Sequence, residues 1–243
     1  MLDIFRKKQE DSVFVSAVVL CAGNSTRMGD KVNKQLIMIN DIPVVMYSVM
    51  AFENCDIVDE IVLVTKEEML GDINAMVREF GCSKVKTIVK GGDVRTQSSI
   101  IGVESTSAES DYVLIHDGAR PIIDGDLIRV VVEYAVEYGA TAPSTPIYET
   151  VKRIDCDGKV IETLDRQQLR TIQTPQGFSK KLYLRAAKQC SDRTDLFDDC
   201  QLVEAIGGEV VLVEGNRDNI KITTLDDLDT ARDLLNKRDE RGL

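Results

Sequence analysis

The chain has 243 residues but a single histidine, and no two of its six cysteines stand in C-x-x-C spacing. A structural zinc site, which needs four closely spaced Cys or His ligands, is therefore not expected. Scattered single thiols fit a reducing compartment, so a cytoplasmic location is expected. Positive charge is also scarce, with 30 Lys and Arg against 41 Asp and Glu, a formal charge of −11. Nucleic-acid binding draws mainly on cations that neutralise phosphates, so a nucleic-acid partner is not expected. An acidic chain also repels small anions at long range. A site for phosphates must therefore concentrate its few cations locally. No apolar run approaches the ~20 residues that span a bilayer. Met1 to Ser12 lacks the apolar stretch of a signal peptide, so no membrane partner is expected. Repeats, low-complexity segments and linkers are missing too, which predicts one domain over 1–243.

What is present is an alternation of short apolar runs and amphipathic segments. Val13 to Cys21, Glu60 to Thr65, Val85 to Val89 and Tyr112 to His116 read as buried strands. Helices are predicted over 41–54, 67–80, 95–104 and 126–138, the last with Asp124 as N-cap. Later helices are expected over 179–190, 198–206 and from about Leu225 to Lys237, with strands over 209–213 and 219–223. The pattern predicts an α/β fold, a Rossmann-like, mainly parallel sheet with helices on both faces. Ligands of such sheets lie at the carboxyl ends of the strands. Between 140 and 178 the pattern changes. Glu149 to Ile154 and Lys159 to Leu164 flank Asp157-Gly158, a hairpin signal with polar residues interleaved. An inserted β-ribbon arm at about 147–170 is expected. A lone ribbon is marginally stable and needs something to pack on, such as a second subunit.

The most informative segment follows the first strand: Leu20-Cys21-Ala22-Gly23-Asn24-Ser25-Thr26-Arg27-Met28-Gly29, then Lys34 and Gln35. A glycine and small polar residues after a buried strand offer backbone N–H groups to a polyphosphate. The loop is neither G-x-G-x-x-G nor the G-K-[ST] ending of a P-loop, which disfavours an NAD-dependent dehydrogenase. Arg27 and Lys34 are suited to stabilise charge on a transferring phosphoryl group. Further runs are Gly91-Gly92-Asp93-Val94-Arg95, His116-Asp117-Gly118-Ala119-Arg120-Pro121, Thr171-Ile172-Gln173-Thr174-Pro175-Gln176 and Asp218-Asn219-Ile220-Lys221-Ile222-Thr223.

In order and spacing these runs resemble the sugar-nucleotide pyrophosphorylases and, more narrowly, the 2-C-methyl-D-erythritol 4-phosphate cytidylyltransferases of non-mevalonate isoprenoid synthesis, over nearly the whole chain. The resemblance implies transfer of CMP from CTP to the polyol phosphate with release of pyrophosphate, a divalent cation such as Mg²⁺, and a homodimer with shared active sites. It implies that Arg27, Lys34, Arg166 and Lys221 are catalytic, with Arg166 reaching in from the neighbouring subunit. CTP would be held by Ala22, Gly23, Asn24, Ser25, Gly92, Asp93 and Ser98. Arg120, Thr150 and Thr174 would contact the substrate, and Asp117, at a strand end, would hold the metal. His116 invites a general-base role, but a phosphate monoester is already mostly a dianion at neutral pH, so a structural role is expected for it.

Two positions depart from the family pattern. Cys21 stands where alanine is usual. Phe197 stands where a threonine of the polyol site is common; Thr194-Asp195 nearby is an alternative equivalent, but the spacing to Gly207-Gly208 favours Phe197. If Phe197 faces the polyol it favours the shorter, branched substrate; if it packs in the core it serves stability. Two other functions share much of this sequence logic: a ribitol-5-phosphate cytidylyltransferase, and a catalytically silent nucleotide-binding protein that keeps the fold.

Overall fold

The uninterrupted apolar run after Val13 becomes a central strand because every one of its residues is buried on both faces. In a computed structural model that describes residues 13–23, 36–190, 193 and 195–240, the chain order is β1 (Val15–Leu20), β2 (Met38–Ile39), β3 (Ile42–Pro43), α1 (Val44–Glu53), β4 (Glu60–Thr65), α2 (Leu70–Glu79), β5 (Val85–Lys90), α3 (Arg95–Glu104), β6 (Tyr112–Asp117), α4 (Gly125–Tyr138) and β7 (Ala140–Pro146). It continues with β8 (Lys152–Ile154), β9 (Val160–Thr163), β10 (Arg170–Ile172), β11 (Gln176–Ser179), α5 (Lys180–Gln189), α6 (Cys200–Ala205), β12 (Val211–Glu214) and α7 (Leu225–Glu240).

The sheet runs β10-β7-β11-β6-β1-β4-β5, with β12 also paired to β7. β6, β1, β4 and β5 are parallel neighbours, as is β12 beside β7. β11 is antiparallel to β6 and β7, and β10 to β7. Side chains alternate across the pleat. Val15, Ala17 and Val19 face one core with α1, α2 and α4. Val18 and Leu20 face the other with α3, α5 and α6. Helices therefore cover both faces, as the alternating pattern predicts. A third cluster seats α7 through Leu228, Ala231 and Leu235 against Ile222, Ile39 and Val44.

The sequence reading of 140–178 needs correction, because β7, β10 and β11 are strands of the main sheet. Pro143 and Pro146 argue against a strand in the sequence. Pro143, which has no N–H to donate, sits where β7 changes partner from β11 to β10. The expected strand over 219–223 is absent. That segment belongs to no sheet, and it is fixed by the Ile222 N–H donating to the Ala119 carbonyl at 2.8 Å. The predicted helix over 41–54 begins instead at Val44. Asn40 and Asp41 adopt left-handed φ of 48° and 63° and turn the β2–β3 hairpin, a two-residue loop to which Asn and Asp are suited. Asp124 caps α4 as expected, accepting the Leu127 N–H at 2.8 Å.

The arm is narrower than expected. β8 and β9 pair only with each other, and all their residues are exposed. Asp155 Oδ1 closes the turn by accepting N–H groups of Asp157 and Lys159 at 3.0 and 2.8 Å. Gly158 takes the left-handed φ of 79° that the Asp157-Gly158 pair anticipates.

Candidate active site

At the carboxyl ends of β1, β4, β5 and β6 the chain encloses a cleft of about 550 Å³, a size usual for small-molecule sites. Ala22 and Gly23 line it where the chain leaves β1. Gly91, Gly92, Asp93, Arg95 and Ser98 line it from the turn into α3, and Asp117 and Lys221 complete its charged side. Asn24, Ser25, Arg27 and Lys34 lie outside the described residues.

The turn into α3 has a tight construction. A Cβ at Gly91 would stand 2.8 Å from the Ala22 Cβ and 2.7 Å from Ser98 Oγ. Only glycine lets the two turns approach this closely. The buried Ser98 hydroxyl accepts the Gly92 N–H at 3.1 Å, and the Asp93 N–H donates to the Gln97 side chain at 2.9 Å. These contacts leave the positive end of α3 facing the cleft, an arrangement that favours anions.

Asp117, the last residue of β6, is the hub of the charged side. Its Oδ2 accepts from the Lys221 ammonium at 2.7 Å, and its Oδ1 from Arg95 Nε at 3.1 Å. Arg120 Nε stands 3.9 Å from Oδ2. Burial alone would push the Asp117 carboxyl up. The Arg95 guanidinium, then Lys221 and Arg120, outweigh burial and hold it far below the usual carboxylate range. Arg95 Nη1 also donates to Asp199 Oδ2 at 2.6 Å. The acidic chain thus does gather its cations locally, three of them around one strand end.

Several predicted residues take other places. Thr174 is buried, and its hydroxyl oxygen lies 3.0 Å from His116 Nδ1 while accepting the Asp117 N–H at 3.1 Å. Its side chain engages His116 and the Asp117 backbone, and Thr174 is not among the residues that line the cleft. His116 Nε2 lies 3.2 Å from the Arg120 carbonyl, which can only accept. That assigns the ring proton to Nε2 and leaves Nδ1 to accept from Thr174. Burial, only partly opposed by Asp117 and the Arg120 carbonyl, lowers the His116 pKa to about 4. A neutral, buried, doubly engaged imidazole fits the structural role expected for it. Arg120 lies behind Asp117, off the cleft wall, donating through Nη1 to the Asn219 carbonyl at 2.6 Å. Thr150 and Arg166 are exposed on the arm and do not line this chain's own cleft. Arg166 donates to the Tyr148 carbonyl, and the Tyr148 ring lies 3.8 Å below the Arg217 guanidinium. Phe197 is 87% exposed, so it does not pack in the core.

The sequence reading gave no role to Arg95, which ends the Gly-Gly-Asp-Val-Arg run, or to Asp199. The one signal was their position: a cation opening a helix beside a glycine turn, and an acid preceding α6.

For a metal, the described residues hold no cluster of three or more His, Cys, Asp or Glu that could bind one. Asp117 alone fits Mg²⁺, which takes one or two carboxylates plus phosphate oxygens. Its oxygens each accept one hydrogen bond here and would keep a lone pair for such a cation. Among the described residues no helix is long and apolar enough to cross a membrane.

The comparisons with known proteins agree with this geometry. A family model described as 2-C-methyl-D-erythritol 4-phosphate cytidylyltransferase matches residues 15–237. A relative of that name from Caldanaerobacter subterraneus subsp. tengcongensis is 40% identical over 225 residues, covering 92% of this chain and 99% of its own. One from Bacillus cytotoxicus is 38% identical over 219 residues, covering 90% and 96%. Among solved structures, a 4-diphosphocytidyl-2C-methyl-D-erythritol synthase from Anaerococcus prevotii matches with a TM-score of 0.81 at 28% identity, over 93% of this chain and 100% of that one. With the glycine turns, the strand-end aspartate and the late lysine meeting in one cleft, a match of this extent means that the chain belongs to the 2-C-methyl-D-erythritol 4-phosphate cytidylyltransferase family.

Proposed function

We propose that the chain transfers CMP from CTP to 2-C-methyl-D-erythritol 4-phosphate, giving 4-diphosphocytidyl-2-C-methyl-D-erythritol and pyrophosphate. The observation that carries this reading is the Lys221–Asp117–Arg95 cluster set against the Gly23 and Gly92 turns at one strand end. A polyphosphate is anionic, and this is where the acidic chain collects positive charge.

CTP lies over the turn that leaves β1, with Ala22, Gly23, Asn24 and Ser25 toward the phosphates and Gly92, Asp93 and Ser98 toward the base. An oxygen of the substrate phosphate attacks the α-phosphorus in line. The new P–O bond forms as the bond to pyrophosphate breaks, and the electron pair leaves with pyrophosphate. The nucleophile is already a dianion, so no base is needed, and His116 with its pKa lowered to about 4 by burial is not asked for one. Lys221 and Arg166 grip the substrate phosphate, and Arg27 and Lys34 stabilise the charge that builds up during transfer. Arg120 acts from behind Asp117, by keeping the local potential positive. Asp117 is the residue that would hold Mg²⁺, which supplies charge neutralisation to the triphosphate when bound.

The enzyme works as a homodimer in which Arg166 and Thr150 serve the partner's cleft. Support comes from the arm: Ile154, Val160 and Ile161 are all more than half exposed there, apolar surface that a second copy would cover. Free thiols at all six cysteines support a cytoplasmic setting.

Phosphorus NMR of the protein with CTP, Mg²⁺ and 2-C-methyl-D-erythritol 4-phosphate tests the reading. Two diphosphodiester resonances should grow with pyrophosphate, and neither should grow when the acceptor is omitted. CTP that stays intact with both present would refute it.

A further inference from the structure

We infer that Arg95 and Asp199 form a positioning pair that fixes the orientation of Asp117 in the cleft; the inference rests on reading that cleft as the site of transfer. Arg95 is the first residue of α3 and lines the cleft. Its guanidinium bridges two carboxylates from distant parts of the chain, Asp117 Oδ1 through Nε at 3.1 Å and Asp199 Oδ2 through Nη1 at 2.6 Å.

Asp199 is fully buried and takes no part in lining the cleft. Its second oxygen accepts from the Tyr183 hydroxyl at 2.9 Å, and its N–H donates to the Gln176 side chain at 3.0 Å. α5 thereby holds the Asp199 carboxylate, and β11 holds its backbone. Taking such a carboxylate and a guanidinium out of water is costly, and well-packed apolar residues commonly do as well for stability. The pair is better explained by what it fixes. A planar guanidinium held at both ends cannot rotate, so its Nε–H points at one place only. That place is the oxygen of Asp117 opposite the one that Lys221 uses.

The charges fit the same purpose. Arg95, Arg120 and Lys221 face Asp117 and Asp199, a surplus of one positive charge. With Asp199 compensating Arg95, the lysine remains free to leave Asp117 for an incoming phosphate while the aspartate stays ionised and oriented. Without Asp199, Arg95 could swing toward the phosphates and leave Asp117 unheld on that side.

Chemical rescue tests this. Arg95→Ala should lower kcat/KM by ~10–100-fold, the usual cost of losing such an outer partner. Added methylguanidinium should restore much of it in Arg95→Ala, and much less in Arg95→Ala/Asp199→Asn, because the free cation then has no buried carboxylate to seat it. Tyr183→Phe in place of Asp199→Asn leaves the charge and removes one hydrogen bond, and should give intermediate rescue if the double variant does not fold. Equal rescue with and without the Asp199 anchor, or full activity of Arg95→Ala, would overturn the inference while leaving the transfer reading intact. A wild-type protein that consumes no CTP would refute the transfer reading instead. A crystal structure of Asp199→Asn, or of Tyr183→Phe, decides the positioning in that case. A displaced Arg95 guanidinium supports it, and an unchanged Arg95–Asp117 contact overturns it.

Discussion

The Lys221 ammonium donates to Asp117 Oδ2 at 2.7 Å across 104 residues of chain. The contact joins the end of a central strand to a late segment outside the sheet that only the fold brings near. Among the described residues it also sets Asp117 against three cations, Arg95, Arg120 and Lys221, with Asp199 behind Arg95.

Asp117→Asn should therefore destabilise the protein as well as silence it. Removing one partner of a buried ion pair leaves the other charges uncompensated, at a cost of about 3 kcal/mol. Pyrophosphate should raise the melting temperature of the variant more than that of the wild type, because an anion replaces the missing charge. Thermal unfolding with and without pyrophosphate checks both effects. An unchanged melting temperature in Asp117→Asn would contradict the account of the cluster.

His116 gives a pH prediction with a definite sign. Burial lowers its pKa in the folded protein to about 4, against about 6.5 in an unfolded chain. Between those values the unfolded state binds more protons, so the contribution of His116 is full above pH 6.5 and falls as the pH drops towards 4. The loss over that window is about 3 kcal/mol. His116→Gln should flatten the pH dependence of stability between 6.5 and 4.5, whatever its effect at pH 7. Denaturant midpoints for both proteins at several pH values measure the difference in slope, and parallel curves would argue against a neutral buried imidazole.

The half of the fold that places the cleft was legible in the sequence because β1, β4 and β6 are buried on both faces and read as plain apolar runs, whereas β5, expected to be buried as well, lies at the sheet edge and is only partly covered. Glu60–Thr65 and Arg95–Glu104 have the bounds their patterns predict. The second half was not legible. β7 carries two prolines, and β10 and β11 are short and flank the Thr174-Pro175 turn, so neither period nor propensity marks them. The site divides in the same way. Asp117 and Lys221 sit in recognisable runs, and the structure brings their side chains together. Arg95 and Asp199 meet only through tertiary packing, and no spacing in the sequence signals a contact over 104 residues. Thr174 carries a motif whose side chain turns inward, which a motif cannot reveal.

Phe197 offers a clean separation of stability from selectivity. It is 87% exposed, and its backbone N–H donates to Gln201 Oε1 at 2.6 Å. Phe197→Thr should change stability by no more than about 0.5 kcal/mol, as at other exposed positions. If the side chain faces the polyol, the variant should show an altered KM for the polyol phosphate and an unchanged KM for CTP. Steady-state kinetics with each substrate varied in turn distinguishes this from an aromatic side chain with no part in the site.

The arm makes the dimer testable. Ile161→Asp places a charge on the exposed apolar ribbon and should shift the sedimentation of the protein from dimer to monomer. Mixing Arg166→Ala protein with Lys34→Ala protein should recover part of the lost activity, since a heterodimer has one intact shared site. Subunit exchange without recovery would return Arg166 to its own subunit.

The most direct test is pyrophosphate release from CTP, measured with 2-C-methyl-D-erythritol 4-phosphate and with ribitol 5-phosphate as acceptors, for the wild type and for Lys221→Ala. The account predicts a higher kcat/KM for the branched, shorter acceptor. It also predicts a fall of ~10²–10³-fold in turnover when the lysine at the Asp117 cluster is removed. A preference for ribitol 5-phosphate, or a Lys221→Ala protein that turns over like the wild type, would contradict it.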